Sequence, residues 1–205
     1  MWKFTLIVGD TMSARSNKLI ITGLVVVLLI IGNLYRLEKA EEQRTYEQFL
    51  NYLHGDLKST IQNIENVIEM NPEGEALQNW MERLEENIEE TRYTMKAGHL
   101  YLNLGTVNYF FREATMMFHG VTFQGETLYD ELPPYTQDNK LDDREKKILK
   151  TIKGYLVNFK KKLEKPNGEV SEDLSREELS DFVRLKLSKD LQEIYTDAVG
   201  WNYEK

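Results

Sequence analysis

Residues Leu19 to Tyr35 read LIITGLVVVLLIIGNLY, a run of 17 residues without a charge in a chain of 205. As a helix rising 1.5 Å per residue it spans about 25 Å, near the lower end of what a hydrocarbon core of about 30 Å requires. Lys18 and Arg36 bracket the run, where both can snorkel their charges to headgroups, and Tyr35 sits where an interfacial aromatic belongs. Thr22 can bond back to its own helix, and Gly23 and Gly32 are tolerated in a membrane span.

Two other fates compete for such a run. A cleaved signal peptide needs small residues before the cut, but this run exits through Ile30, Ile31, Gly32, Asn33, Leu34 and Tyr35. A core helix of a soluble domain would show a polar face, and this one shows almost none. The expectation is an uncleaved anchor over 19–35, with Leu19, Val26, Ile31 and Tyr35 in contact with lipid. Lys3, Arg15 and Lys18 before the span balance Arg36, Lys39 and Arg44 after it, so the positive-inside count is a tie. A short N-terminal side followed by a large domain favours the layout of a signal anchor. The N-terminus is then cytoplasmic and residues 36–205 lie outside a cell membrane crossed once. Residues 1–18 form a short tail, and Met12, which opens the basic stretch MSARSNK, is a second candidate start of translation.

Beyond the span the chain reads as a soluble body. Basic residues number 26 against 34 acidic, a formal charge of −8 that argues against nucleic acid as a partner. Cysteine is absent, which removes disulfides, thiolate metal sites and thiol nucleophiles together.

Tyr46, Leu50, Leu53, Leu57, Ile61, Ile64 and Ile68 recur at steps of three and four, one buried stripe of a helix. Asn71 and Pro72 end it, Asn71 as cap and Pro72 as first residue of the next helix. In that helix Met81, Ile88, Met95, Leu102, Tyr109 and Met116 recur every seven residues, a coiled-coil-like seam through which copies could associate. Gly98 and Gly105 imply either close approach of a neighbour or a break, and the length of an unbroken helix to Phe118 favours a bend near His99 to Thr106. Between 120 and 141 the helical period fails, and Gly125, Pro133, Pro134 and Asp138 read as one extended loop. Asp142 with Glu145 and Ser175 with Glu178 are capping-box signatures. The first opens a helix with Ile148, Ile152, Tyr155, Phe159 and Leu163, the second one with Leu179, Val183, Leu187, Leu191 and Ile194. Pro166, Asn167 and Gly168 turn between them. The fold class is all-α: a single N-terminal transmembrane helix followed by an antiparallel four- or five-helix bundle.

Chemistry is scarce in this pattern. His54, His99 and His119 belong to no HExxH or Glu-x-x-His pair, so no metal ligand set is expected. The stretch from Asp138 fails as a calcium loop, with Lys140, Asp143 and Leu149 where an acceptor, Gly and Glu are required. No phosphate loop or nucleophile elbow occurs, and Glu85, Glu86, Glu89 and Glu90 lie at the spacing of a wet helix face. No catalytic residue, cofactor or metal is expected, and the chain reads as a non-enzyme. The absence of an N-x-S/T sequon favours a bacterial source for an exported domain.

Charge is uneven: residues 36–98 carry 7 basic and 14 acidic side chains, and residues 140–165 carry 10 and 4. Pairing between helices is the simplest account of Lys146, Lys147, Lys150, Lys153, Lys160, Lys161 and Lys162, ahead of binding to lipid headgroups or an anionic polymer. Tyr109, Phe110, Phe111, Met116, Met117 and Phe118 are too continuous for one stripe, so their helix should bury most of its circumference. For recognition, the long loop offers Tyr129, Leu132, Pro133, Pro134 and Tyr135, and the tail offers Trp201. The functional expectation is a membrane-anchored interaction protein, a regulator, scaffold or accessory subunit of a membrane or envelope complex with a protein partner. The alternative is an extracytoplasmic ligand-sensing bundle acting through a separate signalling partner, because no second span precedes Lys205.

Overall fold

The computed structural model describes residues 14–104, 109–124 and 129–200, with side chains described from 19 onward except over 123–130. These residues are mostly helical: α1 Ala14–Met70, α2 Glu75–Leu102, α3 Phe110–Phe118, α4 Asp143–Leu163, α5 Arg176–Lys186 and α6 Leu191–Val199. A two-stranded hairpin, β1 Val121–Gln124 and β2 Tyr129–Leu132, lies between α3 and α4. The chain divides into two compact units, Met1–Thr45 and Tyr46–Lys205, and α1 contributes to both.

In the first unit α1 is helical from Ala14, and every described side chain from 19 to 45 is exposed. It contains the one helix among the described residues that is long and apolar enough to cross a membrane, and none of its apolar window is buried. A core helix would be buried, so that alternative for Leu19–Tyr35 fails.

The second unit is organised by the stripe of α1. Tyr46, Leu50, Leu53, Leu57, Ile61 and Ile64 are buried as the period requires, and Ile68 is partly buried while Val67 takes the last core position. Asn71 ends α1 with φ 43°, its N–H bonded to Val67 O at 3.2 Å, which makes it a left-handed cap of α1. This corrects the reading of Asn71 and Pro72 as the start of α2. That helix opens at Gly74, whose N–H bonds Asn139 O at 2.7 Å.

Helix α2 packs against α1 in the opposite chain direction. Thr94 Oγ1 donates to Asp56 at 2.6 Å, and nearer the other end Thr60 and Thr91 hydroxyls meet at 3.1 Å in the core. The expected bend is present: Asn103 takes the left-handed conformation and its N–H bonds Gly98 O. Gly98 is there for space, since a Cβ would stand 2.5 Å from Phe49 Cε2 and 2.7 Å from Leu104 Cδ1. The break at Asn103 resets the helical phase. Met81, Ile88, Met95 and Leu102 are therefore buried, while Tyr109 and Met116 are exposed. The seven-residue seam is thus consumed inside the chain over its first four positions and dissolved over the last two.

Helix α3 buries Phe110, Phe111, Ala114, Thr115, Met117 and Phe118, most of its circumference, whereas Tyr109 and Met116 of the expected cluster stay outside. The stretch read as an unstructured loop over 120–141 is partly a hairpin, in antiparallel register from Val121↔Leu132 to Gln124↔Tyr129. Four-residue strands are too short to show an alternation in sequence. Gly120, at φ 87°, lets the returning chain pass, because a Cβ there would meet Pro134 Cδ at 2.8 Å. Both expected capping boxes form, at Asp142/Glu145 and Ser175/Glu178. A third, Asp190/Glu193, divides the last expected helix into α5 and α6.

Candidate functional site

Three groups of residues carry the functional expectations: the apolar run, the segment around the hairpin, and the charged faces of α4 and α5. Leu19, Val26, Ile31 and Tyr35 are exposed by 74, 49, 57 and 59 %. An apolar surface of that extent is unfavourable in water by roughly 25 cal/mol for each Å².

The hairpin segment divides differently from the expected rim. Leu132 and Tyr135 are buried, at 1 and 0 % exposure, and the Tyr135 ring lies 5.4 Å from that of Phe118. Both are core residues, which corrects their placement on a recognition surface. The reason is the hairpin itself: Tyr135 N–H bonds Phe118 O at 3.1 Å, drawing the residues after β2 back onto α3. Pro134 is exposed and Pro133 partly so. Tyr129 closes the hairpin register with Gln124, but its side chain, like Trp201, lies outside the described residues.

Each histidine is engaged in a structural link. His54 Nε2 donates to the Glu164 carboxylate at 2.8 Å, tying α1 to the end of α4. His99 Nδ1 donates to Leu104 O at 2.6 Å, and His119 Nε2 donates to Glu85 at 3.0 Å. The Glu164 carboxyl sits below the usual range because Lys160 and then His54 bond it.

Sequence reading missed one titratable centre. Glu145, in the first turn of α4, is 3 % exposed, and its carboxyl is pushed up to about 7. Burial is the main cause, with Asp142 and Asp138 adding repulsion. The Asp142 N–H, bonded to Glu145 at 2.8 Å, and Arg144 oppose the rise. Around it lie the buried Tyr135 and Tyr195. Burial also raises the Tyr135 phenol, whose hydroxyl has no partner among the described residues. The Glu145 carboxylate is committed to its capping box, and Arg144 to Tyr195 and Glu131 O, so these groups lock the hairpin and α6 to the start of α4.

Of the lysines on α4, Lys153 pairs with Glu65 of α1 at 3.4 Å and Lys160 with Glu164 at 2.5 Å. Lys147, Lys150 and Lys161 are exposed. Pairing between helices, expected from the charge asymmetry, uses only part of this basic face. Two open grooves adjoin it. One of about 390 Å³ lies between α1 and α4, lined by Lys58, Glu65, Glu69 and Lys161 among others. The other, of about 630 Å³, lies between α4, α5 and the turn into α6. Among the described residues no group of three His, Asp or Glu is placed to hold a metal ion.

Nothing matches this chain among protein-family models, curated proteins or solved structures. Its function therefore rests on its own residues.

Proposed function

We propose that this protein is a single-pass membrane-anchored helical interaction protein, acting by binding a protein partner rather than by catalysis. The observation that carries this reading is the helical run Leu19–Tyr35: uncharged, long enough to span, and with its apolar window wholly unburied. Lipid is the environment that removes such a surface from water along its whole circumference. The residues from Tyr46 onward then form an antiparallel helical bundle held outside the cell membrane, with the N-terminus cytoplasmic, as an accessory or scaffold subunit of an envelope complex. The described grooves are open along one side, which favours a macromolecular surface over an enclosed small-ligand site.

Membrane fractionation with alkaline carbonate tests the anchor. The full chain should stay with the membrane and be released only by detergent, and Val26→Arg with Leu29→Arg should move it to the soluble fraction. A mature chain recovered in solution and beginning after Gly32 refutes the reading. Protease protection in intact cells reads the orientation: digestion of the unit after Thr45 from outside is expected, and full protection overturns the proposed topology.

A further inference from the structure

The groove of about 630 Å³ between α4 and α5 has an apolar floor and a cationic rim. Phe182 forms the floor, its ring stacked on that of the buried Phe159 at 5.7 Å and 19°. Leu187 closes one end from the core, and Leu185 stands on the lip with 70 % of its surface exposed. Lys161 and Lys162 of α4, Lys186 at the end of α5 and Lys189 in the turn into α6 line the same groove. Lys189 is engaged by Glu193 at 3.7 Å and Asp197 at 3.5 Å, and Lys162 lies in the field of Glu178. Lys161 and Lys186 make no ion pair among the described residues. Tyr155, hydrogen-bonded to Asp197, and Asn158 add polar groups along the same wall.

The groove thus gathers an exposed leucine and two lysines without an ion pair among the described residues, and charge complementarity selects its ligand: a chain segment with an apolar side chain flanked by carboxylates. We propose that this groove is the docking site for an acidic peptide segment of a partner protein, its apolar anchor seated against Phe182 and Leu185 and its carboxylates meeting Lys161 and Lys186. Such a segment exchanges backbone hydrogen bonds with Asn158 and the Tyr155–Asp197 pair, and the lysines fix its register. The groove is not enclosed, which leaves room for a polypeptide laid across it. This assignment concerns the unit after Thr45 and stands or falls separately from the membrane anchor.

The test uses the full chain, held in phosphatidylcholine nanodiscs or in solution as its fractionation dictates, and a random peptide library displayed on phage. Enriched peptides should carry Asp or Glu on both sides of a Leu or aromatic residue. A labelled synthetic copy should lose about tenfold in affinity in Lys161→Glu with Lys186→Glu and in Leu185→Asp, and bind unchanged in Lys147→Glu, which alters α4 away from the groove. Affinity should also fall as salt rises. Lys147, Lys161, Leu185 and Lys186 are all exposed, and an unaltered melting curve certifies each variant. Enrichment without acidic residues overturns the proposal, as does equal binding to the charge-reversed variant. Displacement of the peptide by laurate would assign the groove to an anionic amphiphile and overturn it equally.

Discussion

Replacing Glu145 by Gln should stabilise this protein at alkaline pH and do nothing at acid pH. In the folded state the carboxyl is held at about 7, against an ordinary value of 4.5. A carboxyl raised by folding is bound to its proton more tightly in the native state than in the unfolded one. Its contribution is therefore fully present below about 4.5 and is lost as pH rises through about 7. Above that, keeping the carboxylate in a site only 3 % exposed costs at most about 3 kcal/mol, taking about 1.4 kcal/mol per pH unit. Glutamine is neutral throughout and retains an oxygen to accept the Asp142 N–H, so the capping box survives. It forfeits only the interaction of a negative charge with the α4 N-terminus, about 0.5 kcal/mol. The net gain near pH 8 is about 2 kcal/mol, or about 4–8 °C in Tm for a chain of this size. Thermal melts followed by near-ultraviolet circular dichroism, near pH 5 and near pH 8, read the difference directly. A Tm difference independent of pH, or a loss of stability in the Gln variant near pH 8, refutes the argument that burial of this carboxyl dominates.

Three further outcomes are expected. Gly98→Ala should cost about 1–3 kcal/mol in chemical denaturation, since its methyl group overlaps Phe49 and Leu104, and Phe49→Leu should restore part of the loss. Asp190→Ala removes the cap of α6 and should cost about 1 kcal/mol, with increased hydrogen exchange confined to Leu191–Val199. Thr91→Val deletes the hydroxyl that bonds Asn87 O and meets Thr60 in the core, and should lower stability by about 1 kcal/mol without changing the denaturant slope.

Much of the helical layout is legible in the residues, because helix periods and caps are local. The stripe from Tyr46 to Ile64, the boxes at Asp142 and Ser175, and the packing of α3 all follow from spacing alone. What fails is set by single residues or by long-range pairing. Asn103 interrupts the heptad spacing without breaking its pattern, so Tyr109 and Met116 look like core in sequence and are exposed in space. The hairpin is specified by pairing between strands of four residues, and its consequence, burial of Leu132 and Tyr135, is invisible to any period. The Asp190/Glu193 box was readable, but the apolar spacing from Leu187 through Leu191 to Ile194 runs across it unbroken. The raised Glu145 carboxyl was hidden for another reason: the residue occupies an ordinary capping position in sequence, and its burial beside Tyr135 is set by the tertiary fold.

The charge asymmetry follows from the same difference between local and long-range information. Composition shows that α1 and α2 are acidic and α4 basic, and self-neutralisation is the simplest use of that. Among the described residues the geometry satisfies it between α4 and α1 at Lys153 with Glu65, while Lys160 pairs with Glu164 at the end of its own helix, because the buried stripes fix which faces meet. Charges off those faces stay outside whatever their sign. The seam of α2, which seemed the natural place for association, is spent on holding α1. On the proposed reading, recognition falls to what the packing leaves uncovered, and on α4 and α5 that remainder is positive with an exposed leucine beside it. If the groove takes an acidic segment as proposed, a domain of net negative charge repels other acidic surfaces at long range and accepts them at that groove, so selectivity arises from the contrast between the groove and its surroundings.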